Sequence, residues 1–222
     1  YIDQEEVRAA KKVLPDAIYR AEYEGEFLEG ESQVFQNFNS NTFERFSPPR
    51  GKCYIGVDLA QSGDYTVAVV MDASGAVVEV YRDNHKEWET MSSNIIKLAR
   101  KYNATIMLET NSMGSVVLET IKKQYQDTHG FNTSNQSKRE IVENLIMGFN
   151  EGSVKIPSAT LYPELHQELE VFELTYNPQT RSVKYAARPP FHDDIVIALC
   201  IANFNRLQNK SYGQYTVLGS MR

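Results

Sequence analysis

Three acidic positions fall inside or beside apolar segments, where an unpaired charge is strongly unfavourable. Asp58 lies in the apolar run Tyr54-Ile-Gly-Val-Asp-Leu-Ala60, which breaks at Ser62-Gly63. Glu109 ends Thr105-Ile-Met-Leu-Glu109, and His192-Asp193-Asp194 opens the apolar segment from Ile195 to Phe204. If the first two runs are neighbouring strands, Asp58 and Glu109 project from adjacent positions. Asp194, at the start of a helix packed on that sheet, would converge on both. Carboxylates a few ångströms apart repel, and bound divalent cations offset the repulsion. With no His or Cys cluster, oxygen ligation fits Mg²⁺ or Mn²⁺. Two such ions ~3.5–4 Å apart clamp the attacking and leaving oxygens of a phosphodiester displacement, so metal-assisted hydrolysis is the predicted chemistry. Taken singly, each acid has an ordinary reading as a turn residue, half of a salt bridge or a helix N-cap.

The elements that must position these acids follow from periodicity. The run at Tyr54, Tyr65 to Met71 and Ala76 to Tyr81, the last two joined by Asp72-Ala-Ser-Gly75, predict a three-stranded antiparallel meander. Trp88 to Tyr102 places Met91, Ile95, Leu98, Ala99 and Tyr102 on one helical face. Strand Thr105 to Glu109, the small-residue turn Asn111-Ser-Met-Gly114 and a helix from Ser115 to Tyr125 follow. Strand, helix, strand, helix in that order implies parallel pairing onto the meander. Ser137-Lys-Arg-Glu140 has capping-box spacing and predicts a helix from there to Asn150. A short strand at Val154 to Ile156, a helix from Pro163 to Glu170 and a hairpin around Asn177-Pro-Gln-Thr-Arg181 come next. Asp193 to Leu207 is apolar nearly all round and predicts a buried helix. The whole reads as an α/β domain with a central mixed sheet and helices on both faces.

Composition fits this outline. With 222 residues, 41% hydrophobic and 23% charged, the chain can bury one good core. It has no run of ~18 apolar residues and no signal peptide, which predicts an intracellular protein. Cys53 and Cys200 sit in apolar runs and read as buried thiols. A net charge of −6 argues against a uniformly basic coat for nucleic acid and still permits a local basic groove. Tyr1 to about Phe27 is charged helical sequence that starts abruptly, as in an excised fragment. Gly30 to Gly51 shifts to Asn, Ser, Phe and Pro and reads as a linker whose aromatic residues dock on a neighbouring surface.

Gly56-Val-Asp-Leu-Ala60 with Gly63-Asp64, Leu108-Glu109 before Asn111-Ser-Met-Gly114, Ser137-Lys138, and His192-Asp-Asp-Ile-Val-Ile-Ala-Leu199 stand in an order that resembles a known family. It is the nuclease domain of the large terminase subunit of tailed double-stranded DNA bacteriophages, within the ribonuclease H-like superfamily. Tyr19-Arg-Ala-Glu-Tyr-Glu-Gly-Glu-Phe27 and Val34-Phe35 resemble the segment leaving that family's ATPase domain. The resemblance implies a ribonuclease H-like fold over residues 51–210, residues 1–50 as the linker and tail end of an ATPase domain, and residues 211–222 as a polar C-terminal tail. It implies metal ligation by Asp58, Glu109 and one of Asp193 and Asp194, of which Asp194 is favoured by the helix dipole. Asp64 matches an additional acidic position for a second ion, and Lys138 would meet a phosphate or stand simply solvated at a helix start. Arg181, Lys184 and Arg188 on the hairpin would guide a DNA backbone, or serve only as charges that keep an edge soluble.

The activity so implied is a metal-dependent endonuclease using two Mg²⁺ or Mn²⁺ ions to cut concatemeric viral double-stranded DNA during packaging. Its partners would be double-stranded DNA, the ATPase domain of the same full-length protein, the small terminase subunit and the portal protein. No membrane is involved. Its place would be the cytoplasm of the infected host rather than the mature virion. No Gly-x-x-x-x-Gly-Lys-[Ser/Thr] loop occurs, so translocation is not this chain's own activity. A Holliday-junction-resolvase-type endonuclease of the same fold and a non-catalytic DNA- or portal-docking module stay open as alternatives. An actin or sugar-kinase fold would need a second Asp-x-Gly loop and an adenosine loop, which the chain does not offer.

Overall fold

The meander that the hairpin spacing predicts lies at the centre of the molecule. The computed structural model describes residues 3–13, 19, 23, 31–59, 65–84, 87–111, 114–177 and 182–219. Helix α1 (Gln4–Val13) and the short strands β1 (Glu31–Gln33) and β2 (Thr42–Phe43) come first. Strands β3 (Cys53–Asp58), β4 (Thr66–Asp72) and β5 (Val77–Asp83) then pair antiparallel. Helix α2 (Trp88–Tyr102) crosses over to β6 (Thr105–Glu109), and α3 (Gly114–Gln124) crosses to β7 (Thr128–Phe131). Both late strands add in parallel, giving the order β5-β4-β3-β6-β7. This is the expected mixed α/β sheet.

The sequence reading and the structure part beyond β6. Strand β7 is unexpected, because Thr128-His-Gly-Phe131 is short and has no apolar alternation; its pairing with Ile106–Glu109 makes it a strand. Helix α4 (Asn135–Asn150) starts earlier than the Ser137-Lys-Arg-Glu140 spacing implies. Ser134 is its cap: the Ser134 hydroxyl accepts from the Ser137 N–H at 3.1 Å, and the Ser137 hydroxyl accepts from the Ser134 N–H at 2.8 Å. A Ser at the third helical position therefore does what the pattern assigned to Glu140.

The chain continues with β8 (Ile156–Pro157), α5 (Pro163–Val171), β9 (Phe172–Asn177), β10 (Ser182–Ala187) and α6 (Asp194–Gly219). Helix α6 runs past the expected end at Leu207 to Gly219, into the stretch read as a polar C-terminal tail. Strand β8 pairs in parallel with β2, and β1, β9 and β10 form a separate antiparallel sheet. One core layer lies between the central sheet and α2 and α3, with Ile55, Val57, Ile95 and Ile121 in it. The other holds α4, α5 and α6, with Val67, Leu145, Leu169 and Leu199. Phe35 and Phe38 belong to this second layer; Phe35 packs on Phe149 and Phe172 with ring centroids 5.9 and 5.5 Å away. Cys53 and Cys200 are free and buried, and burial pushes the Cys53 thiol up to about 11. Among the described residues no helix is long and apolar enough to cross a membrane.

Candidate active site

Glycine at one position of β3 sets the geometry. A Cβ on Gly56 would stand 2.2 Å from both the Ala198 oxygen and the Ala202 nitrogen, so α6 rests directly on this strand. Asp58 lies two residues further along β3 on the same face, and Asp194 lies one turn before Ala198. Two strand residues and four helix residues each advance about 6–7 Å, which carries Asp194 toward Asp58. Asn205, wholly buried, locks the packing by donating to the Ile55 and Thr105 carbonyls at 3.1 and 2.9 Å.

Glu109 arrives from the neighbouring strand. The parallel register pairs Val57 with Leu108, so Asp58 and Glu109 follow side by side at the same sheet end. Leu108 faces the α2 and α3 layer and Met107 the α6 layer, which places Glu109 on the Asp58 face. Gly114 allows α3 to start against this strand end, because a Cβ there would lie 2.2 Å from the Glu109 carbonyl oxygen. Asn111 ties the following turn to Thr133, donating to its carbonyl at 2.8 Å and accepting its N–H at 3.2 Å.

The electrostatics agree with this convergence. The Asp58 pKa stands well above the usual carboxylate value, first because of burial, then because of the Glu109 charge and a hydrogen bond with Glu109, then through Asp194 and Asp193. By exposed area Asp58 is only half-buried, yet protein atoms crowd its carboxyl enough for desolvation to lead. Asp194 is 8% exposed and accepts the Tyr65 N–H at 3.3 Å, with His192 Nδ1 at 4.0 Å. Asp193 is held by the Lys138 ammonium at 3.2 Å.

A hydrogen bond between two carboxyl groups requires a proton on one of them, since an ionised carboxylate only accepts. A divalent cation can take that proton's place, and the all-oxygen donor set suits a hard ion. Among the described residues no three acidic, His or Cys groups are arranged to hold one ion in the positions they occupy. What the described residues do show is the Asp58 and Glu109 carboxyls meeting at one strand end, with the Asp194 and Asp193 charges acting on Asp58.

Of the other anticipated residues, Lys138 stands beside Asp193 and above the Phe172 ring, 5.9 Å from its centroid. Lys184 lies on β10, exposed opposite Thr175, and Arg188 follows that strand, paired with Glu173 at 3.4 Å. Asp64 and Arg181 lie outside the described residues.

Two side chains here escaped the sequence reading. Glu168 on α5 is buried and accepts the Ile195 and Val196 N–H groups at 2.8 and 3.2 Å, capping α6 from a different element. Burial, helped by the Asp194 charge, pushes its pKa up to about 8 against these two hydrogen bonds. The spacing Leu165, Glu168, Leu169, Phe172 carried the signal, because it puts Glu168 on the buried stripe. Arg82 pairs in register with Val67, which pairs with Asp58, so the three form a row across the sheet. Its guanidinium lies 3.6 Å above the Tyr65 ring centroid.

Residues 55–205 match the family model described as the terminase RNaseH-like domain. The chain is 26% identical over 209 residues to the large terminase subunit of Thermus virus P23-45, covering 85% of this chain and 41% of that one. It is 25% identical, with the same coverage, to the large terminase subunit of Thermus phage G20c. The chain therefore spans about two-fifths of the curated relatives it matches. Its fold resembles the crystal structure of the large terminase nuclease from thermophilic phage G20c with bound magnesium, with TM-score 0.68 and 22% identity over 78% of this chain and 96% of that one. It also resembles the manganese-bound nuclease domain of the bacteriophage SPP1 large terminase, with TM-score 0.51 and 10% identity over 74% and 96% of the two chains. With the meander, the parallel extension and the family match over residues 55–205 all in agreement, the chain belongs to the terminase RNaseH-like domain family.

Proposed function

We propose that this chain is a divalent-metal-dependent endodeoxyribonuclease that cuts concatemeric viral double-stranded DNA during genome packaging. The observation that carries this reading is the Asp58 carboxyl, held at a strand end against Glu109 and facing the charges of Asp193 and Asp194. The magnesium- and manganese-bound terminase nucleases that share its fold support the choice of ion.

In this reading Asp58, Glu109 and Asp194 are the catalytic ligands, joined by Asp193 and Asp64. Two Mg²⁺ or Mn²⁺ ions, when bound, would polarise the scissile phosphate and make water a nucleophile at neutral pH. The protein's own part is positioning. Gly56 keeps α6 on β3, Glu168 caps the helix that presents Asp194, and the Tyr65 N–H fixes that carboxylate. Lys138 restrains Asp193 and would offer its ammonium to an incoming phosphate oxygen. Arg181, Lys184 and Arg188 would contact the DNA backbone without reading sequence. The ATPase domain, the small terminase subunit and the portal would belong to the larger assembly, acting in the host cytoplasm.

Conversion of supercoiled plasmid to nicked and linear forms tests the reading, with Mg²⁺, Mn²⁺ or EDTA and with Asp58→Ala and Asp194→Ala beside the wild type. Cleavage should require metal and disappear in both variants. Metal-independent cleavage, or cleavage retained in folded Asp58→Ala, would refute it. A strong preference for four-way junctions over linear DNA would instead favour a resolvase.

A further inference from the structure

The opposite end of the central sheet carries a second concentration of charge, and its sign is reversed. Cys53 pairs with Asp72 at that end, five residues along β3 from Asp58, a distance of about 17 Å. A pocket of about 200 Å³ opens there between the β4–β5 turn and the segment after β2. Arg45, Arg50 and Lys155 line it, with the Phe43 ring as an apolar wall.

The pocket's own acid is already committed. Asp72 Oδ1 accepts the Ser74 N–H, the Ser74 hydroxyl and the Ala76 N–H at 2.9, 2.6 and 3.1 Å, and Oδ2 accepts the Arg50 N–H at 2.7 Å. These bonds overcome burial and hold the Asp72 pKa below its ordinary value. Behind the turn, Arg206 adds another buried cation, within 3.4 Å of where a Cβ on Gly75 would stand. Glu44, which precedes Arg45 in the sequence, accepts the Ser158 hydroxyl at 2.8 Å.

Among the described residues, Arg45 and Arg50 make no ion pair, and Lys155 donates only to the neutral Asn41 amide oxygen, at 3.0 Å. Two arginines and a lysine lining one concavity suit a tetrahedral oxyanion, since Arg forms paired charge-assisted bonds to phosphate. The volume admits a phosphate or pyrophosphate group, and Phe43, with the exposed Phe46 edge-on to it at 5.4 Å, offers a ring for whatever the phosphate is attached to.

We propose that this pocket binds a phosphate group, presented by a nucleic acid backbone or by a small phosphorylated ligand, at a site separate from the acidic one. The inference does not depend on the chain being a nuclease. Its test is run in EDTA, so that phosphate bridged to the acids through metal cannot contribute. Inorganic pyrophosphate should bind the 222-residue chain saturably by titration calorimetry. The double substitution Arg45→Gln with Arg50→Gln should weaken that binding by about tenfold or more. Both residues are exposed, so the melting temperature should hold, and Lys122→Gln serves as a charge control.

A single-stranded oligonucleotide of about ten nucleotides, within the usual site sizes, identifies the source. If it binds, loses affinity in the double variant and is displaced by pyrophosphate, the phosphate belongs to a backbone. If only pyrophosphate binds there, the ligand is small. No saturable pyrophosphate binding by the wild type, or equal binding by the double variant, overturns the proposal.

Discussion

Asp58 and Glu168 both hold their protons to a higher pH in the folded chain than in the unfolded one. For Asp58 the causes are burial followed by Glu109, and for Glu168 burial outweighs two backbone hydrogen bonds. The sign of the consequence is fixed. The unfolded chain gives up these protons near the ordinary values of 3.8 and 4.5, while folded Glu168 keeps its proton to about 8. Metal-free stability should therefore fall as pH rises from about 4 to 8. Asp58→Asn and Glu168→Gln, which keep shape and hydrogen-bonding capacity, should each flatten that decline. Asp58→Asn should raise the metal-free stability at pH 7, because the uncharged amide removes the cost of ionising this carboxyl beside Glu109. Added Mn²⁺ should raise the wild-type melting temperature and leave the Asp58→Asn value unmoved. Melting curves across pH, with EDTA or Mn²⁺, check all of this; a steeper decline in the variants would contradict it.

At the scale of elements, the contact between α6 and β3 controls the acids, because both surfaces that meet there are backbone. Gly56→Ala would place a methyl carbon 2.2 Å from two backbone atoms that cannot rotate away. We expect it to cost about 3 kcal/mol through overpacking and to lower plasmid cleavage by displacing Asp194 from Asp58. Denaturant unfolding together with the plasmid assay would show both losses; an unchanged midpoint would mean that α6 is not seated as described. This contact also marks how far the sequence can be read. The meander, the parallel extension and the strand-end acids were legible because they rest on local alternation and short turns. The start of α4 was misplaced because Ser137 and Glu140 both suit a capping pattern, and only the extended backbone of Ser134 decides between them. Strand β7 was missed because its partner, not its composition, makes it a strand. Glu168 looked like one charge among many on a short helix, although its spacing matched the buried stripe. The closeness of Gly56 to Ala198 and Ala202 is a fact of tertiary packing that no window of sequence contains.

For the whole molecule, the stretch that looked like a linker is tied into the domain. β1 extends the β9–β10 sheet, β2 pairs with β8, and Phe35 and Phe38 are almost wholly buried beside α4 and α5. Phe35→Ala should cost about 3–5 kcal/mol, a large part of a typical domain's stability. A chain beginning at Gly51 should lose cooperative unfolding, measured by the breadth of its denaturant transition. A sharp, wild-type-like transition in that shortened chain would show that the domain does not depend on these residues.

The order in which the acids occur along the chain has a further consequence for biosynthesis. Asp58 emerges first on a strand whose hairpin partner follows at once, Glu109 waits for a crossover helix, and Asp194 arrives on the last helix. A ribosome therefore releases the meander well before the helix that carries Asp194, and domains fold as their segments become available. Until α6 docks through Asn205 and Gly56, the nascent chain holds only part of its acid set. By this arrangement the three acids come together only after the segment that separates Glu109 from Asp194 has been made and folded.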